Sequence, residues 1–131
     1  MNKLRLAYVR FTSCCGCQLT LLDCEPELAR LAAAVEVVAF DMASSRPDDG
    51  GPLDVVLVEG AISRPEELSA LLELRRRATT LVAVGACALT GGVNALAGAD
   101  RAPLCELVYG ETAGTKATFP PQPLSLSLIH I

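Results

Sequence analysis

The sequence predicts an α/β fold built on a doubly wound, mostly parallel sheet. Short apolar runs rich in β-branched residues alternate with stretches of helical periodicity in the order β-α-β-β-α-β, and strands joined by crossover helices pair in parallel. The chain has no tryptophan, two tyrosines and three phenylalanines. Its core is therefore aliphatic, as in sheets that helices cover on both faces.

Four apolar runs bounded by turn residues are predicted to be strands: residues 4–12, 35–40, 53–58 and 80–86. The loop between the second and third strands, residues 44–52, is rich in proline, aspartate and glycine. The helical stretch after the first strand must break near Pro26, because proline fits a first helical turn and not a helix interior. We therefore expect a short helix after Cys17 and a second one from about Pro26 to Ala34.

The helix between the third and fourth strands has the clearest signals. Ser63 and Glu66 fit a capping box, and Pro65 fits the first turn. Glutamates come early and arginines late, which suits the helix dipole. Leucines three and four residues apart predict its apolar stripe: Leu68, Leu71 and Leu72. A further short helix is predicted over residues 105–109.

Length and charge exclude several classes of protein. The 131 residues indicate one domain, and a net charge of −4 argues against nucleic acid as the main partner. No apolar stretch approaches the ~20 residues of a membrane span. The first residues contain neither a secretory signal nor a twin-arginine motif, so we predict a cytoplasmic protein. Six cysteines in such a chain are more often metal ligands or catalytic thiols than disulfides.

Three thiols lie where the first strand should end and a helix begin, in Cys14-Cys15-Gly16-Cys17. Open α/β sheets place their chemistry at the carboxyl ends of their strands. Cys14-x-x-Cys17 is consistent with an iron–sulfur site, a redox dithiol or a zinc site, and also with buried small residues, since free cysteine packs well. Gly16 is expected to let the backbone turn tightly and approach a cluster closely.

Two further strand ends carry candidate residues. Cys87 ends the predicted fourth strand, and the glycines that follow it could aim backbone N–H groups at an anionic centre or form a plain turn. Glu59 ends the third strand, between the other two strand ends, where it could carry protons, meet a partner subunit or cap a helix. The remaining cysteines and the only histidine are not expected to form a site: Cys24, Cys105 and His130.

Three motifs occur in order along the chain: Phe11-Thr12-Ser13-Cys14-Cys15-Gly16-Cys17-Gln18-Leu19-Thr20-Leu21-Leu22, Val58-Glu59-Gly60-Ala61 and Gly85-Ala86-Cys87-Ala88-Leu89-Thr90-Gly91-Gly92. On these motifs, residues 4–124 resemble the small subunit of cytoplasmic nickel–iron hydrogenases of the sulfhydrogenase delta type. The 20 kDa subunit of NADH:quinone oxidoreductase has the same fold. The resemblance implies a flavodoxin-like iron–sulfur domain over residues 1–124, which holds a proximal [4Fe–4S] cluster.

By position, the resemblance implies that Cys14, Cys17 and Cys87 ligate this cluster. Cys15 takes the variable position, although the quinone oxidoreductase relatives use adjacent cysteines. The family's fourth ligand lies in a Pro-Gly-Cys-Pro motif after a last strand, and this chain has no such motif. We therefore expect a truncated chain, with the last strand missing or replaced and residues 125–131 forming an atypical tail.

The function that the resemblance implies is electron transfer. The chain would be the non-catalytic subunit of an oxidoreductase, relaying electrons between the nickel–iron centre of a large subunit and diaphorase-like or ferredoxin-like subunits. Two other classes remain open from the residues: a thiol–disulfide oxidoreductase using Cys14 and Cys17, and a zinc or nucleotide-binding module. The thioredoxin-like proline is missing before the fourth strand, and neither a second Cys-x-x-Cys nor a Gly-x-Gly-x-x-Gly supports the module.

Overall fold

The computed structural model describes residues 3–96, Leu107 and residues 122–124. Within these residues the elements follow one another as β1 (Leu4–Arg10), α1 (Gly16–Leu22), α2 (Glu25–Ala34), β2 (Val35–Phe40), β3 (Leu53–Glu59), α3 (Pro65–Arg77), β4 (Ala78–Val84), α4 (Gly85–Thr90) and α5 (Gly92–Ala95). The helix predicted over residues 105–109, apart from Leu107, and the tail 125–131 lie outside the described residues. No helix in the described part of the chain is long and apolar enough to cross a membrane.

The four strands form one sheet in the order β2-β1-β3-β4, and every pair in it is parallel. This confirms the predicted parallel α/β sheet, with the strand order of a flavodoxin-like fold. Arg10, Glu59 and Val84 lie in register across β1, β3 and β4. These three strands therefore end at the same level, and the chain segments that follow them meet at one edge of the sheet, called here the carboxyl edge.

Aliphatic side chains fill the core, as the composition predicts. Val56 and Val58 of the central strand β3 are fully buried. Helix α3 covers the sheet through Leu71 and Leu74, whereas Leu72 is 39% exposed. The predicted stripe was therefore wrong at Leu72, because the buried face of α3 is the one that carries Leu74.

Several boundaries differ from the prediction, beginning with the first strand, which ends at Arg10 and not at residue 12. The fourth strand runs from Ala78 to Val84 and stops before Gly85, whose φ of +83° takes the backbone out of the extended conformation. Cys87 consequently lies in the first turn of α4 and not at the end of a strand. Helix α3 is capped by Glu67 rather than by Glu66, since the Glu67 carboxylate accepts a hydrogen bond from the Arg64 backbone N–H at 3.2 Å.

Two arginines fix the opposite, amino edge of the sheet. Arg77, at the end of α3, donates two hydrogen bonds to the Asp48 carboxylate, at 2.8 and 2.6 Å. Arg5, in β1, donates to both oxygens of Asp49 at 2.7 and 2.6 Å. The same guanidinium groups also donate to the backbone carbonyls of Gly51 and Pro52. This amino-edge clamp (Arg5, Asp48, Asp49, Arg77) holds the loop between β2 and β3.

Candidate functional site

The thiols predicted from the sequence all follow strands that end at the carboxyl edge. Cys14 and Cys17 flank the junction between β1 and α1, and Cys87 lies in the first turn of α4, directly after β4. Glu59, the last residue of β3, lies between them because β3 is the strand between β1 and β4. Parallel pairing therefore brings together residues that are far apart in the sequence.

Backbone hydrogen bonds tie the segment that precedes the thiols to the end of β3. The Phe11 N–H donates to the Glu59 carbonyl at 2.7 Å. Thr12 and Ala61 exchange two bonds, with the Thr12 N–H donating at 3.1 Å and the Ala61 N–H at 2.9 Å. Both backbone polar groups of Thr12, its N–H and its carbonyl, are therefore bonded to Ala61, which holds the segment that leads to Cys14.

Cys15 makes the tight turn that the sequence assigned to Gly16. Its φ of +66° places it in the left-handed region, and no other non-glycine residue described here has a positive φ. Its buried sulfur accepts a hydrogen bond from Nη1 of Arg10 at 2.6 Å. Gly16 is the first residue of α1, where an added Cβ would lie 3.3 Å from Sγ of Cys14.

The Glu59 carboxylate lies under the start of α1. It is 2% exposed, and it accepts hydrogen bonds from the Gln18 N–H at 3.2 Å and the Cys17 N–H at 3.4 Å. The first N–H groups of a helix have no partner within the helix, so a carboxylate placed there can accept their hydrogen bonds. The negative charge of the carboxylate also interacts favourably with the positive end of the helix dipole. Of the roles considered for Glu59, the geometry supports helix capping.

Two of the thiols have perturbed pKa values. Burial raises the pKa of the Cys17 thiol, and the charges of Glu59, Cys14 and Cys87 raise it further. Burial likewise raises the pKa of Cys87, followed by the charges of Cys14 and Glu59. The three thiols are thus close enough for the charge on one to oppose ionisation of another, while Cys14 itself is exposed.

Two glycines leave space for the sulfur atoms of Cys17 and Cys87. A Cβ on Gly85 would collide with Sγ of Cys17, and a Cβ on Gly92 would lie 2.6 Å from Sγ of Cys87. Both glycines also have positive φ values, +83° and +61°, which other residues adopt only at a cost. The backbone after β4 therefore lies closer to the sulfurs of Cys17 and Cys87 than it could if either glycine carried a side chain.

Several buried polar atoms near these thiols find no partner among the described residues. They are the Tyr8 hydroxyl, the Ser13 hydroxyl and the Nε2 atom of Gln18. Burial, followed by the charges of Glu59 and Cys17, raises the pKa of Tyr8 to about 12. Polar groups buried without a partner are rare, and each calls for a specific explanation.

No three histidine, cysteine, aspartate or glutamate side chains within residues 3–96, 107 and 122–124 are close enough to hold a single metal ion. Each thiolate of a four-iron cluster binds a different iron, so thiols that hold a cluster are spaced more widely than the ligands of one ion. Cys24 is exposed at the start of α2, away from these thiols in the chain. Cys105 and His130 lie outside the described residues.

Sequence reasoning missed two residues of this edge, Arg10 and Gly85. Arg10 is a cation inside the predicted first strand, five residues before Cys15, and in the structure it is the last residue of β1. That position could have indicated a partner for an anionic or thiol group. Gly85 lies two residues before Cys87, where a glycine that ends an apolar run signals a break in the strand.

Residues 14–118 match the protein family described as NADH ubiquinone oxidoreductase, 20 kDa subunit. Subunit delta of sulfhydrogenase 2 from Pyrococcus furiosus is 35% identical over 91 residues, which make up 70% of this chain and 38% of that protein. Subunit delta of the NAD-reducing hydrogenase HoxS from Cupriavidus necator is 30% identical over 72% of this chain and 45% of its own length. The chain therefore spans less than half of these relatives.

A solved structure has the same fold. A chain in the crystal structure of a NAD+-reducing [NiFe]-hydrogenase in the H2-reduced state superposes with a TM-score of 0.77 at 25% identity. The match covers 97% of this chain and 78% of the other. The likeness thus extends over nearly the whole chain and is not confined to the thiol motifs.

Proposed function

Because the chain belongs to the family of the NADH ubiquinone oxidoreductase 20 kDa subunit, we propose that it is the electron-transfer subunit of a nickel–iron hydrogenase-like oxidoreductase. It would carry a [4Fe–4S] cluster on Cys14, Cys17 and Cys87. The observation that carries the proposal is the meeting of these three thiols at the carboxyl edge, with the glycine backbone against two of them. When bound, such a cluster accepts and donates single electrons.

The donor set fits an iron–sulfur cluster better than it fits a hard metal ion. Soft thiolate ligands favour iron–sulfur clusters, zinc or copper(I), and the three sulfurs come from two separate strand ends. At Gly85 and Gly92 it is backbone that lies against the sulfurs of Cys17 and Cys87. Backbone close to sulfur is where N–H groups can bond to thiolates and shift a cluster's reduction potential.

The other residues of the edge would orient the ligands. Glu59 holds the N–H of Cys17 and so fixes the first turn of α1. Arg10 donates a hydrogen bond to the sulfur of Cys15. This bond favours a role for Cys15 in shaping the turn rather than in binding the cluster. Four protein ligands are normal for such clusters, and the described residues of this edge offer three besides Cys15.

The partners proposed are a catalytic hydrogenase large subunit and further redox subunits of the diaphorase or ferredoxin kind. The support is that the relatives are named as subunits of a sulfhydrogenase and of a NAD-reducing hydrogenase. The solved structure with the same fold also belongs to a NAD+-reducing [NiFe]-hydrogenase. The chain itself would be the subunit that relays electrons and not the one that activates substrate.

Anaerobic reconstitution with iron and sulfide tests the proposal. We expect about four irons per chain and iron–thiolate absorption in the unchanged protein, and a large loss of both in Cys14→Ser, Cys17→Ser and Cys87→Ser. Cys24→Ser is the matched control, because it removes an exposed cysteine outside this edge. Cys15→Ser is expected to retain its iron. Equal iron uptake by the control and the three ligand variants would refute the assignment.

The alternative, a thiol–disulfide oxidoreductase, uses only two of the three thiols. It leaves Cys87, and the glycine whose backbone lies against the Cys87 sulfur, without a role. Such an enzyme also needs a reactive cysteine with a lowered pKa, because the thiolate is the nucleophile. Alkylation of the iron-free chain over a range of pH separates the two functions, since an apparent pKa below that of Cys24 for either Cys14 or Cys17 would favour the dithiol enzyme.

A further inference from the structure

Helix α3 carries a buried carboxylate that the proposed electron transfer does not use. Glu67 is 5% exposed, and burial alone would raise its pKa. Hydrogen bonds from Ser63, Arg64 and Thr12 outweigh burial and hold the pKa of Glu67 below its ordinary value. A buried carboxylate kept ionised in this way has its donors fixed around it.

Part of this arrangement is an ordinary helix cap. Oε2 of Glu67 accepts from the N–H of Ser63 at 2.9 Å and from the N–H of Arg64 at 3.2 Å. Oε1 accepts from Nη2 of Arg64 at 2.9 Å. These bonds join residues within four positions of one another, and they account for the start of α3 without any contact with the thiols.

One hydrogen bond of Glu67 is not part of the helix cap. The Thr12 hydroxyl donates to Oε1 at 2.8 Å, across 55 residues of sequence. Oγ1 of Thr12 also lies 2.6 Å from Oγ of Ser63. Either of these two hydroxyls could donate to the other, and the Ser63 hydroxyl also donates to Oε2 of Glu67 at 3.3 Å. The two hydroxyls and the carboxylate therefore form one hydrogen-bonded group.

Thr12 lies two residues before Cys14, in the segment that its backbone bonds with Ala61 already hold. The side-chain bond adds an anchor that a backbone ladder does not provide, because it fixes the segment to helix α3 as well as to β3. A hydrogen bond to a charged group contributes more than one between neutral groups. The direction in which the chain enters Cys14 is thus set partly by α3.

We infer that Glu67 is a positioning residue for the thiols of the carboxyl edge, acting through the Thr12 hydroxyl. The inference rests on the proposed function in that the positioned thiols are the proposed cluster ligands. The hydrogen bonds of Glu67 go to Thr12, Ser63 and Arg64, and none of those described joins it to a thiol. Its contribution is to hold the segment before Cys14 in the one orientation that presents Cys14 and Cys17 toward Cys87.

Thr12→Val tests this role apart from the cap, because it removes the hydroxyl and leaves every bond of Glu67 with Ser63 and Arg64. Thr12→Ser restores the hydroxyl, and Glu67→Ala removes the anchor and the cap together. Glu66→Gln is the matched control, since Glu66 is an exposed neighbour on the same helix. Urea unfolding of each variant reports its overall stability separately.

The first readout is alkylation of the iron-free chain, with Cys24 as an internal reference. We expect Cys17 to react about tenfold faster relative to Cys24 in Thr12→Val and Glu67→Ala, because a hydrogen bond to a charged group no longer holds the segment closed. Thr12→Ser and Glu66→Gln should match the unchanged protein. If Glu67→Ala does not fold, Thr12→Val decides alone.

The second readout is the electron paramagnetic resonance spectrum and midpoint potential of the reconstituted protein. Both should shift in Thr12→Val and return to the original values in Thr12→Ser. An unchanged alkylation ratio and an unchanged spectrum in Thr12→Val would overturn the inference while leaving the electron-transfer proposal intact. Faster alkylation in a protein that takes up no iron would sink that proposal and keep Glu67 as the positioning residue.

Discussion

The two edges of the sheet are held together in different ways. At the amino edge, the guanidinium groups of Arg5 and Arg77 each meet one aspartate through paired bonds of 2.6 to 2.8 Å. At the carboxyl edge, the Tyr8 hydroxyl and Nε2 of Gln18 are buried without partners among the described residues. The carboxyl edge also contains Cys15, with its left-handed backbone.

The difference indicates where the molecule is built for stability and where it is built for chemistry. Satisfied ion pairs stabilise a fold without offering a group for reaction. Strained backbone and unpartnered polar groups cost free energy, and they persist where a site requires them. The amino-edge clamp thus offsets part of what the thiol-bearing edge costs.

The largest effect is expected from filling the space beside a thiol. Gly85 and Gly50 both have positive φ values, +83° and +73°, but only Gly85 has a thiol against it. Gly85→Ala should destabilise the chain by about 3 kcal/mol, from backbone strain plus displacement of Cys17. Gly50→Ala, in open space at the amino edge, should cost about 1 kcal/mol from strain alone.

Urea unfolding of the two glycine variants measures this difference, and iron uptake shows whether Cys17 has moved. Gly85→Ala should lose iron and Gly50→Ala should retain it. Equal costs in the two variants would mean that the approach of Gly85 to Cys17 contributes nothing, and the contrast between the edges would then rest on the unpartnered polar groups.

An intermediate effect is expected from breaking the amino-edge clamp. Arg77, whose side chain is 15% exposed, bonds Asp48 through two nitrogens. Arg77→Met should lower the free energy of unfolding by about 1 kcal/mol, because it removes a two-bond ion pair whose carboxylate keeps contact with solvent. The neighbouring Arg76→Met is the control and should cost about 0.3 kcal/mol, since the Arg76–Glu73 pair is exposed.

The same two arginine variants sharpen the comparison between the edges. Iron uptake should be unchanged in Arg77→Met, because the clamp lies at the end of the sheet opposite the thiols. A loss of iron in Arg77→Met without a matching loss in Arg76→Met would show that the two edges are coupled, contrary to the separation described above.

The smallest effect is expected from acid. The hydrogen bond from Arg77 is the main cause that holds the pKa of Asp48 below its ordinary value of 3.8. A carboxyl whose folded pKa is lowered contributes stability that is present above the unfolded pKa and lost as pH falls through the folded pKa. The urea midpoint should therefore fall below about pH 4, and Asp48→Asn should flatten this part of the profile.

Asp23→Asn, at an exposed position after α1, is the control for the acid profile. It should leave the slope as it is in the unchanged protein. An identical slope in Asp48→Asn would assign the acid sensitivity to other carboxyls, of which Glu67 is the first to test because its pKa is also lowered.

The sequence was sufficient to predict which strand ends meet. Apolar runs and crossover helices imply parallel strands, so Cys14, Glu59 and Cys87 had to lie near the same edge of the sheet. The second strand was predicted with the bounds that the structure has, Val35–Phe40, because its β-rich run directly follows an alanine-rich helix. Local composition determines where strands and helices lie, and their order along the chain determines how the strands pair.

Features set by a backbone angle or by a distant side chain could not be predicted. The fourth strand ends at Val84 because Gly85 adopts a positive φ. A glycine permits that angle, and so allows a break there, but the sequence does not show that the angle is adopted. The cap of α3 was placed one residue early because Glu66 and Glu67 are equivalent in the sequence. In the structure the N-cap is Arg64 and not Ser63, so the glutamate three residues later is Glu67. Glu67 also bonds Thr12, 55 residues away, which no local pattern shows.

The central place of β1 in the sheet has a consequence for the order of synthesis. β1 pairs with β2 and β3 but precedes both of them in the sequence, so it leaves the ribosome before either neighbour exists. Cys87 follows Cys17 by 70 residues, which at roughly 5–20 residues per second is a delay of several seconds. Throughout that interval the proposed ligand set is incomplete, so a cluster that needs all three thiols is assembled only after Cys87 has been synthesised.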